Sequence, residues 1–304
     1  MNEAVEIAPG VAHLLIGFVN VYFVGEAGAS GWTLVDSGIP RSAPLIRAAA
    51  QRRYGTQPPQ AIVLTHGHFD HAGSALRLAD EWNVPVYAHR LELPYLSGRA
   101  SYPPPDPTIG GAIAFISRFM PRGGLDITPR IKGLPAGTQV PGMDGWRCCF
   151  TPGHSPGHVA FFRDADRTLL AGDAVATVNM DSWTGMISKA QEMARAGAPF
   201  TCDWQQALES VRRLAELHPR VLACGHGVPM TGSTVSADLQ AFSEHVTPPA
   251  HGRYAAQPAQ TDGTGVVWLP PAPADALPVV AAAAMLGLVG LAAARMKRGR
   301  GSGR

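Results

Sequence analysis

The strongest constraint on this chain is the run Thr65-His66-Gly67-His68-Phe69-Asp70-His71, which follows directly on the apolar stretch Ala61-Ile62-Val63-Leu64. Four apolar residues ahead of a polar, glycine-containing turn read as a short buried strand. A strand end that turns tightly presents side chains at i, i+2, i+4 and i+5 to one small volume. Here those side chains are three imidazoles and one carboxylate, the donors that borderline metals such as zinc prefer. With only 11 histidines in 304 residues, such a cluster is a poor candidate for chance. The stretch predicts a strand, a metal-binding loop and then a helix over 72–82 with Leu76, Leu78 and Ala79 turned inward.

The remaining chain supplies a scaffold. Strands are expected at 11–16, 19–24, 32–35, 84–88, 139–140, 146–150, 159–163, 168–171 and 221–224, with helices at 43–54, 203–217 and 236–245. Strands and helices recur in two similar halves, which predicts an α+β fold of the αββα type, two mixed sheets flanked by helices. Residues 91–132, with Pro103-Pro104-Pro105 and Pro107, are the least regular part and read as a lid over the site or as a structural crossover; together with the loop over 177–200, they are where specificity is expected to lie. The apolar fraction of 46% suffices for a large core, and a charged fraction of 16% argues against disorder. A net charge of +2, with several basic residues in the last ten positions, is no nucleic-acid signature. The four cysteines form no C-x-x-C pair and the N-terminus has no apolar signal core, so reduced thiols in a cytoplasmic protein are expected.

The composition divides the chain into a catalytic domain over 1–247, a Pro-rich linker over 248–275 and an apolar helix with a basic tail over 276–304. Residues 276–294 leave three readings open. They could span a bilayer, lie on a membrane surface with the terminal arginines against anionic lipid, or pack on protein.

Three further stretches carry ligand-type residues at strand ends: Thr151-Pro152-Gly153-His154, Ala171-Gly172-Asp173 and Cys224-Gly225-His226. The flanking glycines let each loop approach a buried centre closely. His66-x-His68-x-Asp70-His71 followed by His154, Asp173 and His226 resembles the metallo-β-lactamase superfamily, nearest its glyoxalase II-like and lactonase-like hydrolases. The resemblance covers roughly residues 5–247. It implies a dinuclear centre of two Zn2+, with iron or manganese as alternatives. His66, His68 and His154 would hold the first ion, Asp70, His71 and His226 the second, and Asp173 would bridge them.

The activity implied is hydrolysis of an ester-like carbonyl bond (lactone, ester or thioester) in a small-molecule substrate by a metal-bridging hydroxide, with Asp70 as the catalytic proton acceptor. Asp173 stands where true β-lactamases of the superfamily carry cysteine or another residue, which points away from antibiotics as the main substrate. Where glyoxalase II carries a glutathione-binding helical domain, this chain has Pro-rich residues and an apolar tail, which points away from a glutathione thioester as substrate. The alternative on the same fold is a persulfide dioxygenase with a single iron on His66, His154 and Asp173. Asp36 is expected to orient an imidazole, His158 to be structural, and Cys224 to pack beneath the site.

Overall fold

The computed structural model describes residues 3–275 apart from Arg122. Seven strands form the first sheet in chain order: β1 (Val5–Ala8), β2 (Val11–Ile16), β3 (Val19–Val24), β4 (Thr33–Val35), β5 (Ala61–Val63), β6 (Val86–Ala88) and β7 (Ile131–Gly133). β1 to β4 pair antiparallel and β4 to β7 parallel, so the sheet is mixed. The parallel half needs crossovers, and α1 (Ala43–Tyr54), α2 (Phe69–Ala72) and α3 (Ala75–Trp82) provide two of them. The helix expected over 72–82 is broken at Gly73-Ser74. Gly73 lies so close to Pro40 that any side chain there would collide with the Pro40 ring. The break leaves Asp70 and His71 on a separate turn that can be aimed at the site.

The second sheet has the order β14-β13-β10-β9-β8. Its strands are β8 (Trp146–Phe150), β9 (Val159–Arg163), β10 (Thr168–Gly172), β13 (Val221–Cys224) and β14 (Met230–Thr231). A ribbon of β11 (Ala176–Val178) and β12 (Gln191–Ala194) projects beside it. Residues 139–140, expected to be a strand, make only one bridge, Gln139 to Arg147.

The layering follows from strand periodicity. Along β9, Val159 and Phe161 face the first sheet, where they meet Val11, Val24, Val35 and Val63. The alternate residues Ala160 and Phe162 face the other way, onto Val211 and Leu214 of α7 (Trp204–Ala215) and Leu239 of α8 (Val235–His245). On the outer face of the first sheet Leu14, Leu34 and Ile62 pack against Ile46 of α1 and Leu78 of α3. The chain is thus an αββα sandwich.

The boundary expected at 247 is not where the compact unit ends: it runs from Met1 to Pro270. Residues 260–268 form a hairpin, β15 (Gln260–Asp262) with β16 (Gly265–Trp268). Tyr254 and Ala259 are buried against Ala198, Cys202 and Trp204. Prolines here restrict the chain and allow it to lie on the domain as a strap; apolar Tyr254, Ala259 and Leu269 give it something to bury. Among the described residues no helix is long and apolar enough to cross a membrane. Residues 276–294, for which three readings were left open above, lie outside the described residues.

Candidate metal centre

Loops at one edge of the sandwich bring all seven predicted donors together. His66 to His71 leave the C-terminal end of β5, His154 lies between β8 and β9, Asp173 follows β10, and His226 follows β13. His66, His71, His154, Asp173 and His226 are buried, and Asp70 is only 8% exposed. Three groups of donor atoms lie within 4.8 Å of one another: His66, His68 and His154; His66, His71 and Asp173; Asp70, His71 and His226.

In the first group His66 Nε2 and His154 Nε2 each approach His68 Nδ1 to 3.0 Å. Zinc–nitrogen bonds of ~2.0–2.1 Å separate tetrahedral neighbours by about 3.3 Å, so this spacing suits ligation. Asp173 joins the groups. Its Oδ2 lies 3.5 Å from His154 Nε2 and 3.2 Å from His226 Nε2, and its Oδ1 lies 3.5 Å from His71 Nε2. Asp70 Oδ2 is 3.5 Å from His226 Nε2. His71 Nε2 and Asp173 Oδ1 are buried with no hydrogen-bond partner. Such orphaned atoms are costly unless a ligand satisfies them, and a shared cation would satisfy both.

The ring orientations are set from behind. Asp36 takes the Thr65 N–H on Oδ1 (2.8 Å) and the His71 Nδ1–H on Oδ2 (2.8 Å), which turns the His71 Nε2 lone pair to the site. Thr65 Oγ1 donates to Asp36 Oδ2 (2.8 Å) and accepts from His66 Nδ1 (3.1 Å), so one carboxylate orients two imidazoles. The Phe18 carbonyl accepts from His226 Nδ1 (2.9 Å). Asp36 itself sits at φ 59, a left-handed conformation that a short polar side chain tolerates.

His158, in the same turn as His154, does not join the donors. Its Nδ1 meets Thr151 Oγ1 at 2.8 Å, and its Nε2 accepts the Asp173 backbone N–H at 2.9 Å. Gly172, at φ +52, passes so near that a Cβ would lie 2.6 Å from His158 Nε2. Cys224 packs beneath the site, and its carbonyl accepts from Asn20 Nδ2 (2.9 Å) and Tyr22 OH (2.5 Å).

The electrostatics are two-sided. Burial, reinforced by neighbouring imidazoles, holds His66 and His68 well below the usual histidine range. Burial likewise lowers His154 to about 4, against the pull of Asp173. These rings are neutral near pH 7, as ligands must be. Burial also opposes charge on His71 and His226, but Asp173 and the neighbouring acids outweigh it and raise both. Asp173, which burial would raise, is held well below its ordinary value by His226 and His71. The carboxylate end of the cluster therefore favours positive charge, which a divalent cation supplies.

Glu92 was not legible from the sequence as a functional residue. It is fully buried and accepts four hydrogen bonds: from Gly67 N (2.9 Å), Ser155 Oγ (2.8 Å), Gly157 N (2.6 Å) and Tyr102 OH. It thereby fastens the loop of His66 and His68 to the loop of His154 and His158. An acid inside an otherwise apolar stretch, Leu91-Glu92-Leu93, was the available signal.

A family model of the metallo-beta-lactamase superfamily matches residues 15–226, more than half of the chain. The chain belongs to the metallo-beta-lactamase superfamily. Among relatives in this superfamily, the probable metallo-hydrolase YflN of Bacillus subtilis (strain 168) is 40% identical over 245 residues, covering 80% of this chain and 93% of the relative. The probable metallo-hydrolase YybB of the same organism is 30% identical over 195 residues, 64% of this chain and 74% of the relative. A beta-lactamase domain protein from Burkholderia ambifaria superposes with a TM-score of 0.55 at 25% identity, covering 80% of this chain and 72% of that one. A metallo-beta-lactamase family protein from Thermus thermophilus gives 0.54 at 25% identity, covering 79% and 78%.

Above the candidate metal-ligand edge of this superfamily member opens a cleft whose floor holds His68, Asp70, His154, Asp173 and His226. Both irregular segments expected to set specificity line it: Tyr102, Pro105, Ile113 and Met120 from one side, Met180 and Phe200 from the other. Tyr102 also stands edge-on to His68 with ring centroids 4.6 Å apart, and stacks on the buried Tyr95.

Proposed function

We propose that the chain is a metallohydrolase of ester-like carbonyl bonds (lactone, ester or thioester) and works with two zinc ions. His66, His68 and His154 would hold one ion, Asp70, His71 and His226 the other, with Asp173 between them. The observation that carries the reading is Asp173, whose two oxygens reach toward His154, His71 and His226 from a single buried carboxylate. A bound divalent ion supplies Lewis acidity and lowers the pKa of water to near neutrality.

The chain's own residues do the rest. Asp36 and the Phe18 carbonyl hold His71 and His226 in the tautomer with Nε2 facing the site, so no reorganisation is needed during the reaction. Asp70 is the least enclosed of the carboxylates and lines the cleft, so it can accept the proton of the attacking water and return it to the leaving oxygen or sulfur. Tyr102, Pro105 and Phe200 exclude water from the wall where the acyl group would sit.

The test is metal quantification with a panel of lactones, thioesters, phosphodiesters and β-lactams. The expected result is about two zinc per chain and turnover confined to the carbonyl substrates. A single iron with oxygen consumption would instead support the persulfide dioxygenase alternative on His66, His154 and Asp173. Preferred phosphodiester cleavage would refute the bond type.

A further inference from the structure

A second space opens beside the metal cleft, with different chemistry. It is an open groove of about 250 Å³, and its distinctive walls are Leu15, Ile116, Val178, Met186 and Val228. It shares Phe18, Ile113, Met120 and Met180 with the metal cleft, so the two spaces adjoin, one with a polar lining and one with an apolar lining. The uncharged polar side chains on its wall are engaged in hydrogen bonds. His13 and Asn20 bond each other at 2.7 Å, and the Asn20 amide donates to Cys224 O and Gly227 O. Lys189 is the one charged side chain on that wall among the described residues. Phe18 and Val228 are 43% and 54% exposed, an arrangement that leaves apolar surface in water unless something covers it.

We propose that this groove holds the hydrocarbon tail of the substrate, a straight acyl or alkyl chain attached to the carbonyl that reacts at the metal centre. The reacting group rests on the hydrolase reading above; the tail does not. With Lys189 as the one charged side chain on its wall among the described residues, the groove leaves most polar groups of a substituent unpaired, at ~1–3 kcal/mol each, which disfavours peptide and sugar substituents. Three methionines, Met120, Met180 and Met186, line it, and their unbranched, polarisable side chains adapt to a flexible chain better than branched ones. Adjacency to the metal cleft fixes the direction: the carbonyl at the histidines, the tail past the shared Phe18, Met120 and Met180 toward Ile116 and Met186.

The test uses the zinc-loaded full chain and a series of straight-chain acyl esters with one leaving group. Burial of a methylene at ~0.8 kcal/mol corresponds to a rise in kcat/KM of about fourfold per carbon, continuing until the groove is full. Ile116→Asp should flatten that rise. Binding of n-alkanols from butanol to decanol, followed by calorimetry, reads the groove without any reaction and should tighten with length in the wild-type chain. Flat alkanol affinity together with flat ester kinetics would overturn the proposal. Length-dependent alkanol binding with no ester turned over would support the groove and refute the hydrolase reading instead.

Discussion

Replacing Glu92 with Gln keeps the side chain's shape and changes only what it can accept. One oxygen faces Gly67 N and Tyr102 OH, and the other faces Ser155 Oγ and Gly157 N. Whichever oxygen becomes NH2, the adjoining hydroxyl can rotate to accept from it, but the adjoining backbone N–H cannot. One buried N–H is left unpaired, at ~1–3 kcal/mol, and the remaining bonds lose a charged acceptor. The expected loss is about 2–4 kcal/mol, which in a domain of this size lowers Tm by ~5–12 °C. Because Gly67 lies between His66 and His68, and Ser155 and Gly157 between His154 and His158, zinc affinity should fall by about tenfold or more as well. Thermal unfolding of the metal-free protein and competition for zinc with a chelator measure the two effects separately. A Glu92→Gln protein that melts within about 2 °C of wild type and competes equally well for zinc would refute the bracing role.

Other expectations follow from the same geometry. Asp173→Ala should leave the fold intact, abolish turnover and reduce bound metal, read by metal analysis alongside circular dichroism; normal activity in a metal-free variant would sink the hydrolase mechanism. Asp36→Asn offers one oxygen where Thr65 and His71 use two, and zinc affinity should drop ~10–100-fold with little loss of secondary structure. Burial lowers His158 to about 3, so between its unfolded value of ~6.5 and that point the unfolded chain binds the extra proton. Stability of the metal-free protein is then full above ~pH 6.5 and falls on acidification, by up to ~1.4 kcal/mol per pH unit from this residue. Urea unfolding at pH 7 and pH 5 should show a smaller difference for His158→Gln than for wild type.

The legible parts of the molecule were those governed by local rules. Short, continuous apolar runs marked β9 and β13 to the residue, because those strands lie buried between a sheet and a helix layer. The seven candidate donors, which the fold brings together, were legible because each stands on a glycine-flanked strand end. Glu92 and Tyr102 were not, because their significance lies in what folds around them: four donors from three segments converge on one acid. The strap over 248–270 was misread as a linker for a related reason. Proline density signals an extended backbone equally whether it crosses solvent or lies on protein, and contacts such as the pairing of Ala259 N with Cys202 O, at 2.9 Å, distinguish the two.

That strap has a consequence for the cleft. Tyr254 OH donates to Pro104 O at 2.7 Å, Arg253 N donates to Asp106, and the Asp106 N–H in turn reaches Pro199 O at 2.8 Å. Pro103 and Pro105, neighbours of these anchors, form part of the wall facing the metal ligands. The width of the entrance is therefore set from the rear by a stretch of chain some 150 residues downstream (|i−j| of 150 for Tyr254 and Pro104). A chain shortened to residue 247 would keep every metal donor and lose the clamp on its own doorway, so its selectivity among substrates should loosen while its metal content stays the same.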